Sequence, residues 1–168
     1  GQALVASVIL FSYNSAAIGL GIASLALVAI YPFAKRFTWW PQVFLGLAFN
    51  WGAVLAYAAH SGFVRGAALL LYAGGITWTL FYDTIYACQD KEDDALIGVK
   101  STARLFGNNA RQWLWGFMVA TVLLISAAIV AVPFHGVWSP LMALAGVWAF
   151  GWHMVWQMRQ LNTEDPTS

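Results

Sequence analysis

Apolar residues fill most of this chain, and charged residues are confined to the junctions between long apolar runs. Four windows contain no Asp, Glu, Lys or Arg: residues 1–34, 37–64, 66–82 and 112–158. At about 1.5 Å per helical residue, the last window is long enough to cross a roughly 30 Å hydrocarbon core twice. Its two prolines and Gly136 indicate where the chain turns back.

We predict that each apolar run forms a helix bounded by turn residues. The predicted helices cover residues 15–33, 41–59, 66–90, 112–132 and 140–158, and residues 1–12 form the end of an earlier span. None of these segments has a strict polar face, as expected for helices that contact lipid and one another. The predicted fold is an all-α, polytopic transmembrane helical bundle, in which residues 1–168 are part of a single transmembrane domain without a separate soluble domain.

Composition favours the same class of protein. The chain is 61% hydrophobic and 9% charged, whereas a typical soluble domain has about 25% charged residues. Its net charge of +1, with only eight Lys and Arg residues, argues against the basic face that nucleic-acid binding requires. The lipid bilayer is therefore an expected partner, and nucleic acid is not. The single cysteine, Cys88, excludes a disulfide within these residues.

The distribution of charge predicts an orientation. If the spans alternate in direction, all basic residues except Arg65 fall on one side of the membrane, together with all seven acidic residues. By the positive-inside rule, that side is cytoplasmic. We expect an integral protein of the bacterial inner (cytoplasmic) membrane, with its charged loops facing the cytoplasm. Because the chain begins at Gly1 in apolar sequence and ends in the polar segment LNTEDPTS, we also expect it to be a fragment.

The stretch YDTIYACQDKEDD, residues 82–94, holds five of the seven acidic residues. Asp83 follows an apolar run without a break, so it lies at the end of a span, where an ionisable side chain is by default a functional candidate. If the helix continues at about 100° per residue, Asp90 and Asp94 lie about 20° to either side of Asp83. Tyr86 lies near the same stripe.

Three aligned carboxylates repel one another unless a cation lies between them. Hard divalent ions prefer oxygen ligands, and Mg²⁺ in particular combines one or two carboxylates with water and phosphate oxygens. The pattern therefore indicates a site for Mg²⁺ and a phosphate-containing substrate, with Asp83, Asp90 and Asp94 as the metal ligands. An ordinary solvated helix end is the alternative.

Basic residues occur at the same level of the predicted bundle. Lys100 and Arg104 are spaced i, i+4 and can face together toward one anionic group. Tyr31, Lys35 and Arg36 lie at the end of another predicted span on the same side. Basic side chains near a metal site can neutralise a diphosphate as it leaves, which is electrostatic stabilisation of the kind that dominates many reactions. The alternative for Lys35 and Arg36 is that they only determine topology.

The spans also contain a polar residue and several tryptophans that require an interpretation. Asn50 lies near the middle of a span, where its amide forms either an interhelical hydrogen bond or a contact with substrate. Several tryptophans lie near span ends, as is typical of aromatic belts at the membrane interface. They include Trp39, Trp40 and Trp113.

Residues 82–107, YDTIYACQDKEDDALIGVKSTARLFG, and residues 31–52, YPFAKRFTWWPQVFLGLAFNWG, resemble the 4-hydroxybenzoate polyprenyltransferases of the UbiA superfamily. The second aspartate-rich motif of that superfamily, D-x-x-Y-A-x-x-D-x-x-x-D, is matched by Asp83, Tyr86, Ala87, Asp90 and Asp94. Its Y-x-x-x-K element is matched by Tyr31 and Lys35. Its G-x-K-S-T-A segment is matched by Gly98, Lys100, Ser101, Thr102 and Ala103.

This resemblance implies a membrane enzyme of about nine spans, of which five to six are present here. It implies transfer of a polyprenyl group from polyprenyl diphosphate to the ring of 4-hydroxybenzoate, in ubiquinone biosynthesis, by Mg²⁺-dependent electrophilic aromatic substitution. The implied metal ligands are Asp83, Asp90 and Asp94. The implied diphosphate-binding residues are Lys35, Lys100 and Arg104. The implied residues that contact the aromatic substrate or support its site are Arg36, Tyr31, Tyr86 and Asn50.

The first aspartate-rich motif of the superfamily, N-D-x-x-D, does not occur in these 168 residues. We therefore expect the isolated chain to be inactive. Three alternatives stay open: another UbiA-type aromatic prenyltransferase, a membrane transporter with a cation-binding carboxylate site, and a structural subunit that docks a basic partner. A transporter would place its carboxylates near the bilayer midplane, whereas these lie at the end of a span and continue into the following loop.

Overall fold

A computed structural model of the protein describes residues 1–161, which form eight α-helices and the loops between them. The helices are α1 (Gln2–Phe11), α2 (Ser15–Phe37), α3 (Pro41–Ser61), α4 (Gly66–Gln89), α5 (Lys91–Leu96), α6 (Thr102–Phe106), α7 (Ala110–Val130) and α8 (Trp138–Gln160). A short 3-10 turn, Gly107–Asn109, joins α6 to α7. The described residues contain no β-strand, so the all-α prediction is confirmed. The predicted terminal loop, LNTEDPTS, lies outside the described residues apart from its first residue.

The five predicted long helices are all present, with ends that differ from the prediction by a few residues. The largest difference is in α2, which continues past the predicted end at residue 33 to Phe37. Pro32 lies inside this helix without ending it. Lys35 and Arg36 occupy its last turn, where the helix dipole favours basic side chains.

The acidic stretch does not continue α4 as one helix, and this part of the prediction was wrong. α4 ends at Gln89, and Asp90 leaves helical geometry, with φ −91° and ψ 7°, before α5 begins. Acidic residues are unfavourable at the negative C-terminal end of a long helix and favourable in the first turn of the next one, where three of them lie. Asp90 nevertheless takes part in the hydrogen bonding of both helices, because its N–H donates to the Tyr86 carbonyl over 3.3 Å and its carbonyl accepts from the Asp94 N–H over 2.8 Å.

The bundle presents an apolar surface typical of an integral membrane protein. Three segments of the described residues are long and apolar enough to cross a membrane: Ser15–Phe37, Pro41–Ser61 and Thr102–Val130. α4 and α8 have similar lengths, 24 and 23 residues, but their sequences are less apolar. Large apolar side chains such as Leu25, Phe49 and Leu123 are well over half exposed. An apolar surface of this extent fits lipid rather than water.

α4 is the central helix of the bundle. It packs between α3 and α7, while α2 packs against α3 and α8 packs against α7. The buried core lies mainly where α4, α6, α7 and α8 meet, and it includes Phe81, Leu114 and Met158. The order of packing therefore follows the order of the long helices in the chain, with the short helices α5 and α6 bridging α4 and α7.

Hydrogen-bonded threonine pairs fix α4 against its neighbours. Thr121 on α7 donates to the hydroxyl of Thr77 on α4 over 3.0 Å. Thr84 on α4 and Thr102 on α6 share a hydrogen bond of 2.8 Å. Because a polar group in an apolar interior needs a partner, each pair disfavours sliding of one helix along the other.

α3 and α4 approach each other closely at two glycines. A Cβ added at Gly46 would lie 3.2 Å from the Cα of Ile76, and one added at Gly75 would overlap the side chain of Asn50. The Asn50 amide donates to the Gly46 carbonyl and to the Thr79 hydroxyl, over 2.9 Å in each case. Small residues permit this approach, and the polar pair fixes the register of the two helices.

Hydrogen bonds define two opposite ends of the bundle. At one end, the Asn14 side chain at the start of α2 donates to two carbonyls in the last turn of α3. At the other end, Arg111 at the start of α7 donates to the carbonyls of Met158 and Leu161 at the end of α8. This second end holds the basic residues other than Arg65, as predicted. We call it the charged end.

The glycine contact between α3 and α4 is tested by Gly75→Ala. The added methyl group would overlap Asn50 and disturb its bond to Thr79, and overpacking of this kind typically costs about 1–3 kcal/mol. We expect a lower midpoint of thermal unfolding in detergent. Gly52→Ala is the matched control, because nothing lies within 4 Å of the added Cβ and alanine favours the helix. Equal midpoints for the two variants would contradict the close contact.

Candidate functional site

Four side chains from three helices meet at the charged end. Asp83 is half-buried near the end of α4. Gln42, in the first turn of α3, lies within hydrogen-bonding reach of its carboxylate, and Lys35 and Asp90 are close enough to interact with it electrostatically. Tyr31, one turn before Lys35 on α2, is also electrostatically coupled to Asp83. We call Tyr31, Lys35, Gln42 and Asp83 the Asp83 cluster.

The register of α3 against α4 explains why Gln42 reaches Asp83. Residues spaced four apart lie on one face of a helix. The facing stripes consist of Gln42, Gly46 and Asn50 on α3, and of Gly75, Thr79 and Asp83 on α4. Because the two helices run in opposite directions, the bond from Asn50 to Thr79 in the middle of the contact places the start of α3 beside the end of α4.

Gln42 is a site residue that we did not predict from the sequence. Only 1% of its surface is exposed. Its Oε1 is the one buried side-chain polar atom in the described part of the chain that lacks a hydrogen-bond partner. A buried acceptor left unpaired costs about 1–3 kcal/mol. The available signal was its spacing with Gly46 and Asn50, which places a polar residue on the face of α3 that packs against α4.

The acidic turn after α4 places its carboxylates in different surroundings. Asp94 is buried, whereas Asp90, Glu92 and Asp93 are exposed. Within residues 1–161, no three His, Cys, Asp or Glu side chains are grouped closely enough to hold a metal ion. Asp83, Asp90 and Asp94 therefore do not form a closed metal site by themselves. Their assignment as Mg²⁺ ligands stays a prediction.

Two basic residues and Trp39 hold the loop that follows α5. Arg104 donates through Nη1 to the carbonyl of Val99 and, over 3.3 Å, to that of Asp94. Its guanidinium carbon lies 5.5 Å from a ring centroid of Trp39, and the Lys100 ammonium lies 5.8 Å from it. Both separations are within the range of cation–π attraction. Trp39, interpreted from sequence as part of an aromatic belt, thus positions two of the predicted diphosphate-binding residues.

A backbone hydrogen bond brings this loop to the Asp83 cluster. The Lys100 N–H donates to the Lys35 carbonyl over 3.3 Å, and the Lys100 ammonium lies 3.5 Å from the carbonyl of Phe37. The three predicted diphosphate-binding residues, Lys35, Lys100 and Arg104, consequently lie at the same end of the bundle. They come from α2, the loop and α6, and Ser101 caps the start of α6 by accepting from the Arg104 N–H.

The other predicted site residues make different contacts. Arg36 is exposed, and its guanidinium lies 5.9 Å from the ring centroid of Phe33 on the exposed side of α2. Tyr86 is 61% exposed and its ring contacts that of Tyr82. Asn50 uses both amide hydrogens within the bundle, which is the interhelical alternative. A role of these three residues toward an aromatic substrate stays a prediction.

Comparison with known proteins decides the family. A model of the UbiA prenyltransferase family matches residues 1–168. The chain belongs to this family. The expected polytopic membrane fold is therefore confirmed by family membership together with the helical structure.

Curated relatives of this UbiA-family chain are named "4-hydroxybenzoate polyprenyltransferase, mitochondrial". The chain is 56% identical to the relative from Mus musculus over 129 aligned residues. The alignment covers 76% of the chain and 34% of the relative. The chain is 48% identical over 164 residues to the relative from Drosophila melanogaster, and this alignment covers 95% of the chain and 40% of the relative. The chain is 46% identical over 167 residues to the relative from Homo sapiens, and this alignment covers 99% of the chain and 44% of the relative. The chain thus spans less than half the length of these relatives. No solved structure gives a significant match.

The names of these relatives conflict with one expectation. We expected a bacterial inner membrane, whereas the relatives named here are mitochondrial proteins of eukaryotes. The positive-inside rule sets the orientation of a span and does not distinguish one membrane from another. The charge pattern was therefore no basis for choosing a bacterial membrane.

The loop contacts are tested by Arg104→Lys. An ammonium cannot replace the planar fork of a guanidinium, and hydrogen bonds from charged donors are worth about 1.5–3 kcal/mol. We expect faster hydrogen exchange of the Val99 amide, which donates to the Asp94 carbonyl over 2.9 Å. The matched control is Arg111→Lys, because Arg111 binds two carbonyls at the end of α8 and should not affect Val99. Unchanged exchange in Arg104→Lys would contradict the role of the guanidinium.

Proposed function

We propose that the protein containing this chain transfers a polyprenyl group from polyprenyl diphosphate to the ring of 4-hydroxybenzoate, in ubiquinone biosynthesis. The observation that carries the proposal is the Asp83 cluster, in which a carboxylate lies within electrostatic range of a lysine at the charged end of an apolar bundle. Family membership supports prenyl transfer. The names of the relatives support 4-hydroxybenzoate as the acceptor.

The charged end offers oxygen donors of the type that a divalent cation prefers, and they form one part of the proposed metal site. Asp83 and Asp90 are close enough for their charges to repel, and carboxylate oxygens are the ligands that Mg²⁺ prefers. The unpaired Oε1 of Gln42 adds a buried acceptor near Asp83. We assign Asp83, Asp90 and Asp94 as ligands, directly or through water. When bound, Mg²⁺ supplies positive charge that stabilises the leaving diphosphate.

Basic side chains around the Asp83 cluster are suited to bind the diphosphate. Lys35 on α2 lies within electrostatic range of Asp83, and the Lys100 N–H donates a hydrogen bond to the Lys35 carbonyl. Arg104 contributes a guanidinium that has five N–H donors, and its bonds to the protein in the described region use only Nη1. Together these residues place positive charge where negative charge develops on the leaving group.

The proposed reaction is an electrophilic aromatic substitution. The bond between the allylic carbon and the diphosphate oxygen breaks, and the diphosphate leaves with the electron pair. The ring carbon beside the phenol oxygen forms a bond to the allylic carbon and then loses its proton to the released diphosphate, which restores the aromatic ring. An apolar bundle favours this course because water would quench the allylic cation. The proposed residues on the aromatic side are Arg36 for the carboxylate, with Tyr31 and Tyr86 in support. Asn50 supports the site indirectly, by fixing the register of α3 against α4.

The assignment of the carboxylates is tested in the full-length protein, meaning the natural chain that contains these residues. With Mg²⁺, polyprenyl diphosphate and 4-hydroxybenzoate in detergent, Asp83→Asn and Asp94→Asn should lower prenyl transfer by about 10²–10³-fold, as expected for loss of an electrostatic stabiliser. The measurement is the rate at which prenylated 4-hydroxybenzoate forms.

Asp93→Asn is the matched control for these two variants. Asp93 is exposed, lies on the same turn and is outside the motif, so this variant should keep its activity. Full activity of Asp83→Asn would contradict the proposal. If the protein prenylates a different aromatic ring and not 4-hydroxybenzoate, the proposed reaction class stands and the proposed acceptor is wrong.

Removal of the metal is an independent test. Chelation of divalent ions in the full-length protein should abolish prenyl transfer, because the carboxylates at the charged end would be left without the charge that links them to the diphosphate. Addition of Mg²⁺ should restore the rate, and addition of K⁺ at equal ionic strength should not. Prenyl transfer that survives chelation would refute the metal assignment.

A further inference from the structure

Gln42 combines two features that packing does not explain. Its side chain lies on the stripe of α3 that faces Asp83, within hydrogen-bonding reach of that carboxylate, and its Oε1 has no hydrogen-bond partner among the described residues although the side chain is almost completely buried. An apolar residue of similar length would fill the same space without leaving an unpaired acceptor. The polar character of Gln42 therefore serves an interaction beyond the packing of α3 on α4.

The backbone of Gln42 lies in a well-packed part of the fold. Gln42 lies directly after Pro41, which begins α3, and one turn before Gly46, where the backbones of α3 and α4 are in close contact. Both Pro41 and Gln42 are buried. A donor held on such a base can fix the orientation of a neighbouring carboxylate, which a flexible surface residue cannot.

We propose that Gln42 is a positioning residue for Asp83. Its amide N–H would hold the carboxylate in one orientation, and its Oε1 would accept a hydrogen bond from a water molecule of a divalent cation held by Asp83. This inference rests on the proposed metal site at Asp83. Mg²⁺ usually keeps several of its waters, each of which is a hydrogen-bond donor, and partners outside the ligand shell orient carboxylate ligands.

Metal binding by the full-length protein in detergent tests this role. The probe is Mn²⁺, whose free aqueous ion is followed by electron paramagnetic resonance, so the measurement does not depend on turnover. Gln42→Met keeps the length of the side chain and removes both the donor and the acceptor. We expect the Kd for Mn²⁺ to rise about 10-fold or more, the usual effect of losing such a partner.

A second variant and a control keep the test independent of folding. Gln42→Asn keeps the amide but is too short to hold Asp83, so it should also weaken Mn²⁺ binding. Thr121→Val is the matched control, because it removes an interhelical hydrogen bond from the contact of α4 with α7. We expect Thr121→Val to bind Mn²⁺ as the unmodified protein does, even where its thermal midpoint falls.

The kinetic signature separates positioning from a structural role. In prenyl transfer assays, the Mg²⁺ concentration for half-maximal rate should rise in both Gln42 variants, and the rate at saturating Mg²⁺ should largely recover. A loss of rate that excess Mg²⁺ does not restore, with unchanged Mn²⁺ affinity, would overturn the inference.

Asp83→Asn distinguishes failure of this inference from failure of the proposed function. If Asp83→Asn weakens Mn²⁺ binding and both Gln42 variants bind it normally, the role of Gln42 is wrong and the metal site stands. If Asp83→Asn itself binds Mn²⁺ normally, the proposed metal site is wrong, and the inference falls with it.

Discussion

The contact between α3 and α4 is the constraint on which the arrangement at the charged end depends. Gly46 and Gly75 allow the two helices to approach, and the bond from Asn50 to Thr79 fixes their register. A shift of one residue along either helix would turn its stripe by about 100° and carry Gln42 away from Asp83. The hydrogen bond between Asn50 and Thr79, in the interface of α3 and α4, therefore determines the surroundings of the Asp83 carboxylate at the charged end.

Helix electrostatics explains the break at Asp90 and the need for positive charge beside it. The negative end of α4 and the acidic residues that follow it repel each other, so the helix ends and the same residues form the favourable first turn of α5. Lys35 on α2 is close enough to this region to interact electrostatically with Asp83. Lys100 and Arg104 both hold the loop against Trp39 and are the proposed diphosphate ligands. Diphosphate binding and the conformation of this loop are thereby linked through the same two side chains.

The sequence was sufficient to predict those features that depend on neighbouring residues. Apolar runs predicted the long helices, and charge placement predicted that seven basic residues share one end. Motif matching predicted the family. The break at Asp90 was not predicted, because uniform helical geometry was extended through a run of acidic residues. Gln42 and Trp39 were not predicted as site residues because their roles arise from contacts between helices that are distant in sequence. Such contacts depend on register, which apolar periodicity alone does not determine when a helix is apolar on every face.

The most direct test of the account is the structure of the full-length protein with Mn²⁺ and an unreactive polyprenyl diphosphate analogue. Anomalous scattering would locate the metal, and density for the analogue would locate the diphosphate. We predict that Mn²⁺ lies against the Asp83 carboxylate, directly or through one water, with the diphosphate between the metal and Lys35. The account would be contradicted if the metal and the diphosphate were bound elsewhere and Asp83 contacted only protein groups.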